Sequence, residues 1–189
     1  GKNLFPKPYR GAQSFLDPLK IWGVNGPLAP PPKMAWPSAS ATLLEHRDWI
    51  RQSLVLAPSA AWAMKRWPLE KWQSLIHSLP QQKFVVLGGP QDDFCAQLTK
   101  QAPQRVLNLA GQLNWHESAQ VIDWAPLTVS GDTGVLHIAD FLGRPAVGIL
   151  GPTAFGHPTR ITSRVVERDL SCRPCTKDGR GRCKNSVYQ

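Results

Sequence analysis

The sequence predicts an α/β fold, a Rossmann-like parallel sheet with flanking helices, over residues 54–189. Three observations predict it. Short apolar runs alternate with stretches of helical periodicity, the pattern of strands buried on both faces and joined by crossover helices. Segments of glycine and small polar residues follow those runs, as loops at the carboxyl ends of parallel strands do. The chain has 189 residues, enough for one such core and too few for two.

Residues 1–53 precede this pattern and differ from it. Pro6, Pro8, Pro18, Pro27, Pro30, Pro31, Pro32 and Pro37 interrupt any regular element. The stretch therefore reads as an interdomain arm or the remnant of a preceding domain, with one amphipathic helix around Gln13–Trp22. Its first residue is Gly1, not Met. The chain is thus expected to begin partway through a longer protein, although a processed or tagged start gives the same sequence.

From Ser53 onward, strands are predicted at Leu54–Ala57, Lys83–Leu87, Val106–Leu107, Leu127–Val129 and Ala146–Leu150, with a further candidate at Arg164–Val166. Helices fill the gaps. Leu69–Leu79 sets Trp72, Leu75, Ile76 and Leu79 on one face, and Ser118–Trp124 and Gly134–Leu142 carry similar stripes. Pro68 suits a helix start, where its missing donor costs nothing, and Gly143 suits a helix end. Because parallel crossovers are right-handed, ligands belong at the carboxyl ends of these strands.

Hydrophobic residues at 42% and charged residues at 19% predict a folded globular chain. The net charge of +9 favours an anionic partner, while the absence of a dense basic run interleaved with aromatics argues against a nucleic-acid reader. No apolar run approaches the ~18 residues that span a bilayer, and Gly1–Arg10 lacks the core of a secretion signal, so a cytoplasmic location is expected. Cys95 falls in a helical pattern and Cys172, Cys175 and Cys183 cluster near the end, unlike a secreted disulfide framework. Three clustered cysteines fall short of the usual four zinc ligands, so reduced thiols are expected and no metal.

Three post-strand loops suit an anion. The first, Pro58–Pro68, places Ser59 and Ala60 beside the strand end and Lys65 and Arg66 before a helix, where helix N–H groups and a cation could meet phosphate. Solvated cations before a helix explain the same residues equally well. The second, Leu87–Asp93, carries Gly88 and Gly89, which allow an unhindered backbone, though Gly-Gly-Pro is also ordinary turn chemistry. Asp92 or Asp93 serves a helix start as readily as a ribose. The third, Ser130–His137, opens a helix with Asp132, Thr133 and Gly134, whose N–H groups suit a diphosphate, and His137 follows one turn later. An N-cap aspartate and a core histidine are the alternative for that loop. Thr153, in the turn Gly151-Pro152-Thr153, carries less weight.

Taken together and in order, Lys65-Arg66-Trp67-Pro68, Leu87-Gly88-Gly89-Pro90, Asn108-Leu109-Ala110-Gly111 and Ser130-Gly131-Asp132-Thr133-Gly134 through Gly151-Pro152-Thr153 resemble the ADP-heptose:lipopolysaccharide heptosyltransferases of glycosyltransferase family nine. The resemblance spans about Leu54–Cys183. It implies the C-terminal, donor-binding half of a two-domain glycosyltransferase-B fold, and an inverting transfer of heptose from ADP-heptose to a lipopolysaccharide core acceptor. The nucleotide sugar is then a substrate, with neither cofactor nor metal required.

The resemblance assigns Lys65 to neutralising the diphosphate and Thr133 and Gly134 to holding it. Asp132 would hold the sugar or the loop, His137 would contact phosphate or fix the loop, and Ser59, Ala60, Gly88 and Gly89 would line the nucleotide. Lys65 and Asp132 are the candidate catalytic residues. The family's general base comes from the N-terminal domain, so this chain is expected to be an incomplete enzyme by itself. A non-catalytic module for a nucleotide or anionic glycan, acting with a separate chain, is the alternative. Ser59 stands where the family often has glycine. The family ends on a further helix whereas this chain stops at Ser186-Val187-Tyr188-Gln189, so both ends are expected to be cut. The basic tail, with Arg173, Lys177, Arg180, Arg182 and Lys184, suits phosphorylated core sugars or the anionic inner face of the inner membrane, or is simply solvated.

Overall fold

The structure, a computed structural model, describes residues 10–153 and 156–183. Pro6, Pro8, Lys184 and Ser186–Gln189 lie outside the described residues. Six strands form one sheet: β1 (Ser53–Ala57), β2 (Lys83–Val86), β3 (Val106–Asn108), β4 (Leu127–Gly131), β5 (Ala146–Ile149) and β6 (Ser163–Val166). Their order is β3-β2-β1-β4-β5-β6, and every pair is parallel. All six predicted strands are present, displaced by at most two residues at either end.

Strand period explains the two halves of the core, since successive side chains point to opposite faces. Val55 and Val85 join Leu43, Ile50, Val121, Ile122, Leu136 and Leu142 on one face. Leu56, Phe84 and Val86 join Trp72, Ile76, Cys95 and Leu98 on the other. In chain order the helices are α1 (Gly11–Leu16), α2 (Ala41–Glu45), α3 (Arg47–Arg51), α4 (Leu69–Ser78), α5 (Ala96–Gln101), α6 (Trp115–Trp124) and α7 (Gly134–Phe141). The first cluster is covered by α2, α3, α6 and α7, and the second by α4 and α5.

Three local differences from the sequence reading have physical causes. Helix α6 starts at Trp115 rather than Ser118 because Asn114 and Glu117 form a capping box: Asn114 Oδ1 accepts from the Glu117 N–H at 3.0 Å and Glu117 Oε2 from the Asn114 N–H at 3.0 Å. Asn114→Ala is accordingly expected to cost about 1 kcal/mol, read from the urea midpoint, with Asn114→Ser restoring most of it. The helix around Gln13–Trp22 divides into α1 and a 3₁₀ turn over Asp17–Trp22, ended by Gly23 at φ 79°. Its apolar residues point outward, with Phe15 80%, Ile21 79% and Trp22 71% exposed. Within the proline-rich first 53 residues, α2 and α3 nevertheless enter the core through Leu43 and Ile50, both fully buried. Trp36 Nε1 also donates to Asp123 at 2.9 Å, and Gln120 donates to the Pro37 carbonyl at 3.1 Å. Among the described residues no helix is long and apolar enough to cross a membrane.

Candidate functional site

The chain order reverses between β1 and β4, which lie side by side in mid-sheet, so the loops after these strands diverge and open a crevice. A cleft of about 710 Å³ occupies it, with a third wall from the loop after β2. Ser59, Ala60, Lys65, Gly88, Gly89, Asp132, Thr133 and Gly134 all line this one cleft. The three loops singled out in the sequence therefore converge. His137 does not line it; that side chain reaches Asp132 from behind and faces a neighbouring cavity with Phe15 and Asp140.

Small residues permit this convergence. A Cβ on Gly131 would stand 3.0 Å from the Lys65 carbonyl oxygen, where the β1 and β4 loops touch. A Cβ on Gly134 would stand 3.2 Å from the Trp115 ring. Gly88 lies as close to Ala110, and its turn is fixed by Asp92, whose Oδ2 accepts from the Gly89 N–H at 2.7 Å. Asp92 thus holds its own loop. Arg66 turns away from the cleft, with Nε donating to the Ala60 carbonyl at 2.8 Å and its guanidinium over the Phe94 ring.

Helix α7 begins at the cleft floor. Thr133 is its extended N-cap, yet its side chain caps nothing; its hydroxyl pairs with Ser130 Oγ at 2.9 Å. The first N–H groups of a helix have no intrahelical acceptor and carry partial positive charge. Gly134 and Val135 therefore present anion-suited donors on the cleft wall.

Asp132 is the hub of the site. Its side chain is 8% exposed; Oδ2 lies 2.7 Å from Lys65 Nζ and accepts from Thr153 Oγ1 at 2.8 Å, while His137 Nε2 lies 3.5 Å from Oδ1. Lys65 Nζ also donates to the Asp132 carbonyl at 3.3 Å. Burial pushes the Asp132 carboxyl up, but hydrogen bonds from His137, Lys65 and Thr153 outweigh it and hold the pKa at about 2. Such a carboxylate is a weak base and a firm anchor.

Several cleft residues escaped the sequence reading. Trp62, Asn114, Trp115 and Asp178 line it, and Gly156 and Gly179, at φ 103° and φ 92°, pack against Asp132 and Lys65 respectively. Thr153, given little weight, is 1% exposed and bonded to Asp132. The aromatic residues flanking the loops were a signal for Trp62 and Trp115, whereas no local pattern marked Asp178. The tail that carries Asp178 is anchored, not free: Cys175 N–H donates to the Pro152 carbonyl at 2.9 Å and Thr176 pairs with Thr153. Arg173, read as part of a basic surface, points inward to the Gly151 carbonyl at 2.6 Å and to Glu167 at 2.8 Å. Cys172 and Cys175 are free thiols, and burial together with the neighbouring Cys172 thiol raises the Cys175 pKa. Among the described residues no group of three or more metal-ligating side chains is arranged around a common point.

Comparison with known proteins gives this arrangement a family. Lipooligosaccharide heptosyltransferase 2 of Haemophilus influenzae is 32% identical over 118 residues, covering 56% of this chain and 34% of that enzyme. A glycosyl transferase family 9 structure from Veillonella parvula shares the fold at TM-score 0.68 and 19% identity, over 88% of this chain and 51% of its own. An Escherichia coli heptosyltransferase solved with ADP-2-deoxy-2-fluoro heptose aligns at TM-score 0.55 and 25% identity, over 61% of this chain and 36% of its own. The chain spans about a third to a half of the length of these relatives. Residues 20–188 match the family model of glycosyltransferase family 9 (heptosyltransferase), and the chain belongs to that family.

Proposed function

We propose that this chain is the donor-binding half of a heptosyltransferase, holding ADP-heptose during inverting transfer to a lipopolysaccharide core acceptor. The observation that carries the reading is the convergence of Lys65, Gly88 and Thr133, from three separate loops, on one cleft at the open start of α7.

Transfer from a nucleotide diphosphate requires stabilisation of charge growing on the leaving phosphate. The N–H groups of Gly134 and Val135 and the Lys65 ammonium are fixed donors suited to that charge without a metal or other cofactor. Thr133 adds a hydroxyl, and Ser59, Ala60, Gly88 and Gly89 leave room for the nucleotide edge. Asp132 acts as the positioning residue for Lys65, with His137 buttressing it from behind. With its pKa held at about 2, Asp132 is poorly suited to take a proton from an acceptor hydroxyl. That base, and the acceptor site, belong to an N-terminal domain, for which the outward apolar residues Phe15, Ile21 and Trp22 offer a face. The complete enzyme would work in the cytoplasm, at the inner face of the membrane that carries its lipid-linked acceptor.

Calorimetric titration tests the reading. ADP is expected to bind the chain, and Lys65→Ala combined with Thr133→Ala to weaken it about 10–100-fold. A folded wild-type chain without ADP affinity, or a double variant that binds equally well, would remove it. Heptose transfer by this chain alone would disprove its incompleteness, and transfer restored by an added N-terminal domain would support it.

A further inference from the structure

The charge around the cleft does not balance for the ligand proposed above. Among the described lining residues Lys65 is the one cation, against the carboxylates of Asp92, Asp132 and Asp178. Lys65 is already paired to Asp132 at 2.7 Å. A diphosphate adds about two or more negative charges, so a second cation beside Lys65 and the α7 N–H groups would strengthen its binding.

The tail supplies one. Residues 176–181 fold back over the cleft as a strap. The Thr176 hydroxyl accepts from the Gly179 N–H at 3.1 Å, and Gly179 is buried against the Lys65 stem, where a Cβ would stand 2.7 Å from Cγ. Beyond that contact Arg180 lies over the ring of Trp62, a cleft residue, at 4.8 Å, with Nε 3.1 Å from Asp178 Oδ2.

Resting on the donor-binding reading, we propose that Arg180 is a second phosphate-binding cation, which exchanges its contacts with Asp178 and Trp62 for the donor diphosphate. The side chains of Arg180 and Asp178 are 68% and 46% exposed, so their ion pair is screened and among the weakest kinds. An Arg–phosphate pair can be bidentate and is stronger. The exchange therefore runs toward phosphate. Arg66 is no substitute, because its Nε is committed to the Ala60 carbonyl and its guanidinium lies over Phe94.

Calorimetry of the 189-residue chain with ADP and with adenosine tests this. Arg180→Ala is expected to weaken ADP about tenfold and leave adenosine unchanged, with Arg180→Lys intermediate. Asp178→Asn keeps an oxygen for the Arg180 N–H, now 3.1 Å away, but removes a competing charge, so it should tighten ADP several-fold. Equal losses for ADP and adenosine, or an Arg180→Ala chain that binds ADP within twofold of wild type, would overturn the role of Arg180 alone. A wild-type chain that binds no ADP would overturn the donor-binding reading as well.

Discussion

Asp132→Ala is expected to cost about 3–5 kcal/mol of folding stability, because it strips the counter-charge from a half-enclosed lysine. Lys65 is 18% exposed and has its carboxylate partner at 2.7 Å. Thr153, itself buried, loses the acceptor at 2.8 Å that ties the turn after β5 to the start of α7. Urea unfolding at pH 7 reads the loss, and Asp132→Asn, which keeps the shape and one acceptor, is expected to lose about half as much. The acid limb of the stability curve gives an independent reading. The Asp132 pKa falls from its ordinary 3.8 to about 2 in the fold, so the unfolded chain takes up this proton first on acidification. Its contribution, roughly 2 kcal/mol, is complete above about pH 5 and is lost as pH falls through 4 toward 2. Asp132→Asn should flatten that limb, and an acid limb identical to wild type would mean that the bonds Asp132 receives from His137, Lys65 and Thr153 do not lower its pKa in the fold.

The fold was legible because its signal is periodic and local. Leu54–Ala57 and Phe84–Leu87 are continuous apolar runs whose only consistent environment is a sheet covered on both faces, and β1 and β2 are the pair found there. Boundaries were less legible where side chains decide them, as at Asn114, whose capping box adds a turn to α6 without changing its apolar stripe. The prolines before residue 38 concealed the short helices α2 and α3, because a five-residue helix carries too few turns to show a period; Leu43 and Ile50 are held by tertiary burial.

The candidate site was legible for a related reason. Post-strand loops in a parallel sheet share one rim, so Lys65, Gly88 and Thr133 needed only correct strands to be brought together. What each side chain does there was less accessible. The sequence places His137 one turn from Gly134, but helix geometry turns it behind Asp132 and away from the cleft. Asp178 and Gly179 reach the cleft from more than forty residues beyond Gly134, through a tail whose path follows from the Thr153–Thr176 pairing and from no periodicity.

Gly156→Ala is expected to be nearly as damaging as the loss of Asp132, at about 2–5 kcal/mol, although it adds a single methyl group. Gly156 has φ 103°, a conformation that costs any L side chain, and its Cβ would fall 2.1 Å from Asp132 Oδ1. The two penalties separate in a double-mutant cycle. If contact dominates, the methyl group must displace the carboxylate from Lys65 or lift the turn that carries Thr153, and either movement breaks the anchor beneath the cleft. ADP affinity should then fall together with stability. Removing the carboxylate first empties the space the methyl group needs, so the Gly156→Ala, Asp132→Ala double variant should lose clearly less stability than the sum of the single variants. Losses that add in full would place the cost in the left-handed backbone alone, and would leave Gly156 no part in seating the Asp132 carboxylate.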